Sequence, residues 1–528
     1  MPKFFLTYNG VYLMSVMVSR PEFPSGFLKR SEKMLPEAEF ADFIAACQRP
    51  LRKSIRINTL KISVSDFLVR AEKKHWKLFP IPWCSAGFWI DRPLAEQKEL
   101  PLGNTWEHAL GLFYIQEASS MLPAEALLYG ENLKFKIQHS KFLDMAAAPG
   151  SKTTQLAALL QNTGLIVANE FSASRIKKLF ANLERSGVKN VALTHLDGSK
   201  FAKLTPEAFD AILLDAPCTG EGTIRKDHDA LANWSERKIH IAAGVQKQLI
   251  VAAFEALKPG GILIYSTCTL APEENEEICH YLQTKFPESV QFESLAELFP
   301  GAKKALTPEG FLRVSPHIFD SEGFFVAKIR KKELKLAFNS AEDRAGFDHQ
   351  LISHKKLDSR LRGNDRFRNF PFTPIPSTKF AQLEKYYREH FGFIFSFEKN
   401  QLWERDRELW LFPENITEFI GTVRFDRIGI KFCEMHDKGI KTLHETAINF
   451  GASWAKNSLE LTAEDAQKFL AGKDLILNLE KGAIGEFLLR FDGFPIGIGK
   501  LQNGRLKNQL PREVAHQSIN FSPLPKME

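Results

Sequence analysis

The stretch LDMAAAPGSKTTQL, residues 143–156, decides the fold. Its apolar start predicts the end of a buried strand, its run of small residues predicts a tight turn, and a helix is expected to begin at Ser151. Small side chains let a ligand approach the backbone closely, and the free N–H groups of a new helix face a negative or polar group. The stretch lacks the GxGxxG pattern, which disfavours a dinucleotide site. Taken alone, it also fits a simple tight turn.

Strand-like and helix-like segments alternate from residue 106 to about residue 332, which is typical of a parallel α/β sheet. The predicted strands are KFLDMA, GLIVANE, VALTHLD, FDAILLDAP and GGILIYSTC, and segments with apolar residues three or four apart separate them. GFLRVSPHIFDSEGFFVAKIRK, at the end of the region, predicts two antiparallel strands around a polar DSEG turn. We therefore expect a mostly parallel sheet that ends in an antiparallel pair.

Acidic residues follow three successive predicted strands. Glu170 ends GLIVANE, Asp197 ends VALTHLD, and Asp215 lies in LLDAP. The carboxyl ends of parallel strands form the edge at which open α/β sheets bind ligands, and a carboxylate at the first of these positions can accept both hydroxyls of a ribose. One such acid is ordinary in a polar loop, but three in successive units, facing a small-residue turn, favour a nucleoside cofactor.

Two of the six cysteines follow successive predicted strands. Cys218 lies in DAPCTGEG, and Cys268 lies in YSTCTLAPEENE. Because adjacent strands end at the same edge, both thiols are expected beside the cofactor turn, which fits catalysis better than two small core residues. No chemistry is assigned to the other four, Cys47, Cys84, Cys279 and Cys433. Since no CxxC pair occurs and the spacing suits neither zinc nor disulfides, we expect no metal and a reducing, cytoplasmic compartment.

The composition of the chain is compatible with an RNA partner. The 528 residues carry a net charge of +7 and the pI is about 8.9, which suits a polyanion but also fits a generic basic surface. No stretch reaches the roughly 18 apolar residues that a membrane span needs. Residues 1–20 start like a signal peptide, but polar residues interrupt the run and no cleavage site is evident. We expect a disordered extension, or a start codon assigned too early.

The length predicts three or four domains. Residues 21–105 are expected to form a small α+β module, and residues 106–332 the α/β domain. Residues 333–370, which are polar and basic without a period, are interpreted as a linker or an insertion. Residues 371–528 contain glycines and short alternating runs, which predict β-rich modules.

AAAPGSKTTQ, DAPCTGEGT and YSTCTLAPEENE together resemble the NOL1/NOP2/Sun family of RNA cytosine-5 methyltransferases, and the similarity runs from about residue 21 to about residue 515. The resemblance implies a class I Rossmann-like methyltransferase domain with a seven-stranded sheet. It also implies S-adenosylmethionine as cofactor and, as target, a cytosine of 16S rRNA, position 1407 in rRNA numbering. Residues 21–105 are then an RNA-binding module, residues 371–425 a ferredoxin-like module and residues 426–528 a PUA-like RNA-binding module. We expect a monomer that acts within the small ribosomal subunit.

Residue by residue, the resemblance implies a role for each position of the motifs. The family's cofactor turn falls on Ala146, Ala147, Ala148, Pro149, Gly150, Ser151 and Lys152, its ribose acid on Glu170, and its further cofactor acids on Asp197 and Asp215. Its nucleophile falls on Cys268, and its second cysteine, which serves product release, falls on Cys218. Asp215 is also suited to assist at N3 and N4 of the base. Spacing alone does not separate the roles of the two thiols, because DNA cytosine methyltransferases use the Pro-Cys position as nucleophile.

Other interpretations remain open. A nicotinamide oxidoreductase is disfavoured by the missing GxGxxG, and a non-catalytic ribosome-assembly factor by the presence of both thiols, Asp215 and Lys152. Among methyltransferase targets, a tRNA cytosine or another rRNA cytosine is the alternative. Seven basic residues are candidate phosphate contacts, although each also fits a solvated charge: Arg424, Arg427, Lys431, Lys438, Lys500, Arg505 and Lys507.

Overall fold

The computed structural model describes residues 23–131, 139–333, 370–437, 439–477, 484–511 and 514. Three sequence-based interpretations lie outside these residues: the extension over residues 1–20, all but the two end residues of the basic segment 333–370, and the candidate phosphate contact Lys438. Within the described ranges, no helix is both long and apolar enough to cross a membrane. Nor do the same ranges contain three or more His, Cys, Asp or Glu side chains grouped to hold a metal ion.

The amino-terminal residues form a small α+β module, as the sequence predicts. Its elements are α1 (Ser25–Met34), α2 (Glu37–Cys47), β1 (Ser54–Ile57), α3 (Val64–Lys73), β2 (Lys77–Ile81), β3 (Cys84–Asp91), α4 (Leu94–Glu99), α5 (Trp106–Ala109) and β4 (Phe113–Ile115). The four strands form an antiparallel sheet in the order β2-β3-β1-β4. Ser63 caps α3 by accepting a hydrogen bond from the N–H of Asp66. Because β4 pairs with β1, this sheet continues past residue 105, the expected end of the module.

The central domain alternates strands and helices. Its elements are α6 (Leu122–Leu128), β5 (Lys141–Asp144), α7 (Ser151–Leu159), β6 (Leu165–Asn169), α8 (Ala173–Ser186), β7 (Val191–Thr194), α9 (Phe201–Leu204), β8 (Phe209–Asp215), α10 (Glu236–Ala256), β9 (Leu257–Thr267), α11 (Glu276–Lys285), β10 (Val290–Glu293), β11 (Leu312–Val314), α12 (Pro316–Phe319) and β12 (Phe324–Lys331). The five predicted strands are β5 to β9, and the predicted antiparallel pair is β11 and β12.

The sheet of the central domain has the predicted class I topology. Seven strands follow the order β10-β12-β9-β8-β5-β6-β7, and β11 pairs with β12. The strands β5 to β9 are parallel to one another, whereas β12 is antiparallel to both of its neighbours, β9 and β10. Phe142 and Leu143 of β5 belong to two separate buried clusters. Since successive side chains of a strand point to opposite faces, the sheet is covered on both sides, which explains its continuous apolar runs.

The carboxyl-terminal residues form two further sheets, and the expected β-rich character is confirmed. The elements are β13 (Thr373–Pro374), α13 (Ser377–Phe391), β14 (Leu402–Arg405), β15 (Glu408–Leu411), β16 (Arg427–Ile428), β17 (Ile430–His436), β18 (Gly439–Thr442), α14 (His444–Phe450), β19 (Ser458–Glu460), α15 (Ala463–Leu470), β20 (Leu475–Ile476), β21 (Gly485–Phe491), β22 (Phe494–Gln502) and β23 (Arg505–Asn508). One sheet has the order β13-β14-β15-β17-β18 and the other the order β19-β21-β22-β23-β20.

The first of these sheets differs from the expected ferredoxin-like module over residues 371–425. Its strands follow one another as an antiparallel meander, whereas a ferredoxin-like unit interleaves two βαβ halves. It also continues to Thr442, beyond the expected division at residue 425, because β17 pairs with β15. Between them the short strand β16 leaves this sheet and pairs with β7, which extends the central sheet by one strand.

Candidate active site

The small-residue turn after β5 is held between two neighbouring strands. The N–H of Met145 donates to the carbonyl of Leu213 at 2.9 Å, and the N–H of Ala147 donates to the carbonyl of Asn169 at 2.8 Å. Gly150 has a φ of +106°, and a Cβ at this position would lie 3.0 Å from Cδ1 of Leu179. Only glycine takes this conformation without strain. The helix α7 then begins without a side-chain cap, so its first N–H groups face the turn.

The acids that follow β6 and β7 lie at the predicted edge but differ in exposure. Glu170 is buried, and its Oε1 accepts a hydrogen bond from the N–H of Ser172 at 2.8 Å. Its Oε2 has no hydrogen-bond donor among the described residues, and the nearest cation is Nη1 of Arg175 at 3.5 Å. Asp197 is exposed, and its Oδ1 accepts from the N–H of Ser199 at 3.0 Å. One buried and one exposed carboxylate therefore flank the turn.

Asp215 and Lys152 form an ion pair that joins the turn to the end of β8. The Nζ of Lys152 lies 2.7 Å from Oδ2 of Asp215 and donates to the hydroxyl of Ser120 at 2.9 Å. The hydroxyl of Ser266 donates to Oδ1 of Asp215 at 2.8 Å. Burial opposes the charge of Lys152, but the carboxylate of Asp215 outweighs it, so the pKa of Lys152 is raised. No local sequence pattern marks Ser120 or Ser266, since each acts only through a partner distant in the chain.

A second buried carboxylate, Asp144, ends β5 directly before the turn. The hydroxyl of Thr153 donates to its Oδ2 at 2.6 Å, and burial raises the pKa of Asp144 to about 6. Asp144 lies within the stretch LDMAAAPGSKTTQL, but no role was predicted for it from the sequence. An acid inside an apolar strand run is the signal that would have singled it out.

The two thiols that the sequence singled out lie together. The Sγ atoms of Cys218 and Cys268 are 3.4 Å apart, and Cys268 directly follows the last residue of β9. The hydrogen bond with Cys268, followed by burial, raises the pKa of Cys218 well above its ordinary value. The other four cysteines are buried elsewhere: Cys47, Cys84, Cys279 and Cys433. The arrangement presents one pair of thiols at the sheet edge that also carries the small-residue turn.

Gly222 of the DAPCTGEG stretch brings the two cysteine loops close together. Its N–H donates to the carbonyl of Cys268 at 2.9 Å. A Cβ on Gly222 would lie 2.1 Å from the carbonyl oxygen of Gly323 and 2.8 Å from that of Cys268. No other residue fits between these two carbonyls without moving the backbone, so this glycine fixes the approach of the loops.

The candidate phosphate contacts fall into two groups. Three are engaged in ion pairs: Arg427 with Glu445, Lys431 with Glu408 at 2.6 Å, and Arg505 with Asp474 at 2.8 Å. In contrast, Arg424, Lys500 and Lys507 are exposed and form no ion pair within the described part of the chain. The second group is freer to meet a phosphate, because no carboxylate has to be displaced.

A parallel sheet of class I topology, with a small-residue turn after its first strand and acids after the next three, defines a Rossmann-like methyltransferase. Four family models match consecutive parts of the chain. They are the N-terminal domain of 16S rRNA methyltransferase RsmF over residues 23–118, 16S rRNA methyltransferase RsmB/F over residues 133–330, the pre-PUA domain of ribosomal RNA small subunit methyltransferase F over residues 372–450, and the methyltransferase RsmF PUA domain over residues 456–514.

The chain is also similar to known proteins over nearly its whole length. It is 48% identical to ribosomal RNA small subunit methyltransferase F of Escherichia coli (strain SE11) over 95% of this chain and 98% of that protein. The protein of the same name from Vibrio vulnificus (strain YJ016) is 46% identical over 96% of this chain and 100% of that protein. The crystal structure of NSun6 from Pyrococcus horikoshii with SFG matches with a TM-score of 0.50 and 25% identity, over 59% of this chain and 99% of that chain.

These similarities establish the family. The chain belongs to the 16S rRNA methyltransferase RsmB/F family, in the group of ribosomal RNA small subunit methyltransferase F. The resemblance predicted from the three motifs is thereby confirmed, as are the fold class and the assignment to rRNA methyltransferases. A nicotinamide oxidoreductase and a non-catalytic assembly factor are no longer tenable as alternatives.

Proposed function

We propose that this protein transfers a methyl group from S-adenosylmethionine to carbon 5 of a cytosine in 16S rRNA, position 1407, through a covalent bond between Cys268 and carbon 6. The observation that carries the proposal is the 3.4 Å separation of the Sγ atoms of Cys218 and Cys268, beside the Lys152–Asp215 pair. A single thiol would serve as a nucleophile, but two in contact fit a reaction in which one attacks and the other assists release.

The residues of the turn fit S-adenosylmethionine. The buried carboxylate of Glu170 has one oxygen without a donor among the described residues, as a group that binds ribose hydroxyls requires. Gly150 has no Cβ, and a Cβ at this position would fill the space beside the backbone of the turn. We assign cofactor binding to Glu170, Asp197, Asp215 and the turn from Ala146 to Lys152. The cofactor supplies an electrophilic methyl group.

The thiolate of Cys268 adds to carbon 6, and the displaced electron pair of the C5–C6 double bond makes carbon 5 nucleophilic enough to take the methyl group. The bond from this methyl group to the cofactor sulfur breaks, and its electron pair stays on that sulfur. A base then removes the proton from carbon 5. The electrons of that C–H bond restore the double bond, and Cys268 leaves as a thiolate. We assign the base to Cys218, which must first give up its own proton and then accepts the proton of carbon 5 as a thiolate. One proton per turnover passes to solvent.

In addition to their cofactor contacts, Asp215 and Lys152 are assigned to binding of the cytosine ring. Side by side they offer an acceptor and a donor, which matches the amino group and the ring nitrogen N3 on the edge of a cytosine. Stabilising negative charge at N3 makes carbon 6 more electrophilic. To meet the thiols, the cytosine has to leave its stack, so the RNA must be single-stranded or loosened at this point.

The remaining modules are proposed to hold the RNA. The amino-terminal module and the carboxyl-terminal PUA-like module flank the methyltransferase domain, and the exposed cations Arg424, Lys500 and Lys507 supply phosphate contacts. We propose that the protein acts as a monomer, in the cytoplasm, on rRNA of the small ribosomal subunit.

Bisulfite sequencing of rRNA from a deletion strain tests the proposal. Cytosine 1407 should resist conversion in the parent strain and convert in the deletion strain. Resistance should return with the intact gene and should not return with Cys268→Ala. An unchanged cytosine map in the deletion strain would contradict the proposed reaction or move it to another RNA.

A further inference from the structure

A buried carboxylate that sequence reasoning did not assign, Glu274, connects the two cysteine loops. It is fully buried, and both of its oxygens accept hydrogen bonds. Oε2 accepts from the N–H of Thr219 at 3.0 Å and from Nε2 of Gln246 at 2.8 Å. Oε1 accepts from the hydroxyl of Thr219. The hydroxyl of Thr269 lies 3.2 Å from Oε1 and also 3.2 Å from Oε2 of Glu221, so its single proton is shared between the two carboxylates. Three donors and a share of a fourth therefore converge on one acceptor-only group.

The position of these donors relates Glu274 directly to the thiols. Thr219 follows Cys218 in the chain, and Thr269 follows Cys268. One carboxylate therefore ties together the residues next to both cysteines, whose Sγ atoms lie 3.4 Å apart.

The two loops do not depend on Glu274 to the same extent. The Cys268 loop has anchors that do not involve the Cys218 loop: Nδ2 of Asn275 donates to the carbonyl of Thr269 at 3.2 Å, and the hydroxyl of Thr267 donates to Oδ1 of Asn275 at 2.5 Å. For the Cys218 loop, Gln246 supplies a bond to the carbonyl of Pro217 at 2.9 Å, and the same Gln246 amide also binds Glu274. Loss of the carboxylate should therefore displace Cys218 more than Cys268.

We infer that Glu274 is a positioning residue for product release: it holds the loop of Cys218 so that this thiol reaches the proton on carbon 5 of the bound cytosine. The inference rests on the proposed function, because it takes the roles of the two thiols from there. It adds a residue that touches neither RNA nor cofactor and acts through the Cys218 loop.

Glu274→Gln tests the inference with little change in volume. The NH2 group of the amide can face the hydroxyls of Thr219 and Thr269 only if these hydroxyls accept instead of donate, and every charge-assisted bond to the carboxylate becomes a weaker neutral one. With 16S rRNA and S-adenosylmethionine, the variant should accumulate a covalent protein–RNA adduct on a denaturing gel, and its multiple-turnover rate should fall about tenfold or more. The first round of methyl transfer and the affinity for S-adenosylmethionine should stay within about threefold of the parent.

The neighbouring residue supplies a matched control. Glu273 pairs with Arg30 instead of the cysteine loops, so Glu273→Gln should release product like the parent. If Glu274→Gln forms no adduct, and its first and later turnovers fall together, the residue has only a structural role and the inference is overturned.

A second pair of variants covers the case in which Glu274→Gln does not fold. Thr219→Val removes one of the four donors but keeps the N–H, and Thr219→Ser restores the hydroxyl. Adduct should accumulate with Val and diminish again with Ser; equal release by both variants overturns the inference. Cys218→Ala is run in parallel. If it forms no adduct, the proposed roles of the thiols fail, whereas adduct with Cys218→Ala but not with Glu274→Gln contradicts only the inference on Glu274.

Discussion

The ammonium group of Lys152 lies 2.7 Å from the carboxylate of Asp215, so the first helix after the cofactor turn is joined to the end of β8 beside the two thiols. The side chain of Lys152 is 8% exposed and that of Asp215 is 29% exposed, so the ammonium group depends on the carboxylate to compensate its charge, whereas the carboxylate keeps some contact with water. The pair therefore links two parts of the fold, and in the proposed reaction it is the polar group that contacts the cytosine.

Lys152→Met should leave Asp215 without its cation. We expect the free energy of unfolding to fall by about 1–3 kcal/mol and methyl transfer to fall by about a hundredfold or more. Urea unfolding and a methyl-transfer assay measure the two effects. Lys303→Met is the control, because the pair of Lys303 with Glu297 is exposed and should leave stability unchanged. Equal stability of the Lys152 and Lys303 variants would contradict this view of the pair.

Gly150→Ala should damage the cofactor turn. The φ of +106° strains any residue with a Cβ, and that Cβ would meet Leu179 at 3.0 Å, so we expect a loss of about 1–3 kcal/mol in the free energy of unfolding. Isothermal titration should give weaker binding of S-adenosylmethionine. Gly244→Ala in α10 is the counterpart: nothing lies within 4 Å of its added Cβ, and the change should stabilise the helix by about 0.5–1 kcal/mol. Unaltered cofactor affinity in Gly150→Ala would count against the turn as the binding site.

The carboxyl of Glu322 should make stability depend on pH. Burial, followed by the charge of Glu117, raises the pKa of Glu322 to about 8, against the opposing effect of Lys226, Lys152 and Arg225. Between roughly pH 5 and pH 8 the folded protein thus holds a proton that the unfolded chain has lost, so stability falls as pH rises, on the order of 1 kcal/mol per unit.

Glu322→Gln removes this titration. We compare the free energy of unfolding of the variant with that of the parent. The difference, variant minus parent, should increase from pH 5 to pH 8, because only the parent loses the stability that depends on protonated Glu322. Urea unfolding at several pH values gives the difference, in which the titrating groups that do not interact with Glu322 cancel. Parallel curves for the two proteins would contradict the raised pKa.

Arg424→Glu should weaken RNA binding and lower its dependence on salt. Arg424 is exposed and has no ion-pair partner among the described residues, so a phosphate contact there releases a counterion, and its loss should reduce the slope of log affinity against log salt by about 1. Cofactor affinity should not change. Arg505→Glu is the comparison, because Asp474 already offsets the charge of Arg505; it should alter the slope less. An unchanged slope in Arg424→Glu would remove this residue from the RNA-binding surface.

The sequence predicted the central sheet well, because β5 to β9 are buried on both faces and read as continuous apolar runs. The acids and thiols that follow these strands could be assigned to one edge of the sheet, because the carboxyl ends of parallel strands lie at the same edge. Two short strands were not predicted. β4 has three residues and β16 has two, which is too short to show a period in the sequence, although each pairs with a strand far away in the chain. The role of Glu274 was not predicted for a similar reason. Its partner Thr219 is 55 positions away in the chain, and no local sequence pattern indicates which donors bind a buried carboxylate.

The assignment of Cys268 as nucleophile and Cys218 as the group that permits release is tested most directly by the covalent adduct. Each variant, Cys218→Ala and Cys268→Ala, is incubated with 16S rRNA and S-adenosylmethionine and run on a denaturing gel. Cys218→Ala should retain RNA in a covalent complex, because attack proceeds and release is blocked, and Cys268→Ala should form none. An adduct with Cys268→Ala and none with Cys218→Ala would contradict the assignment.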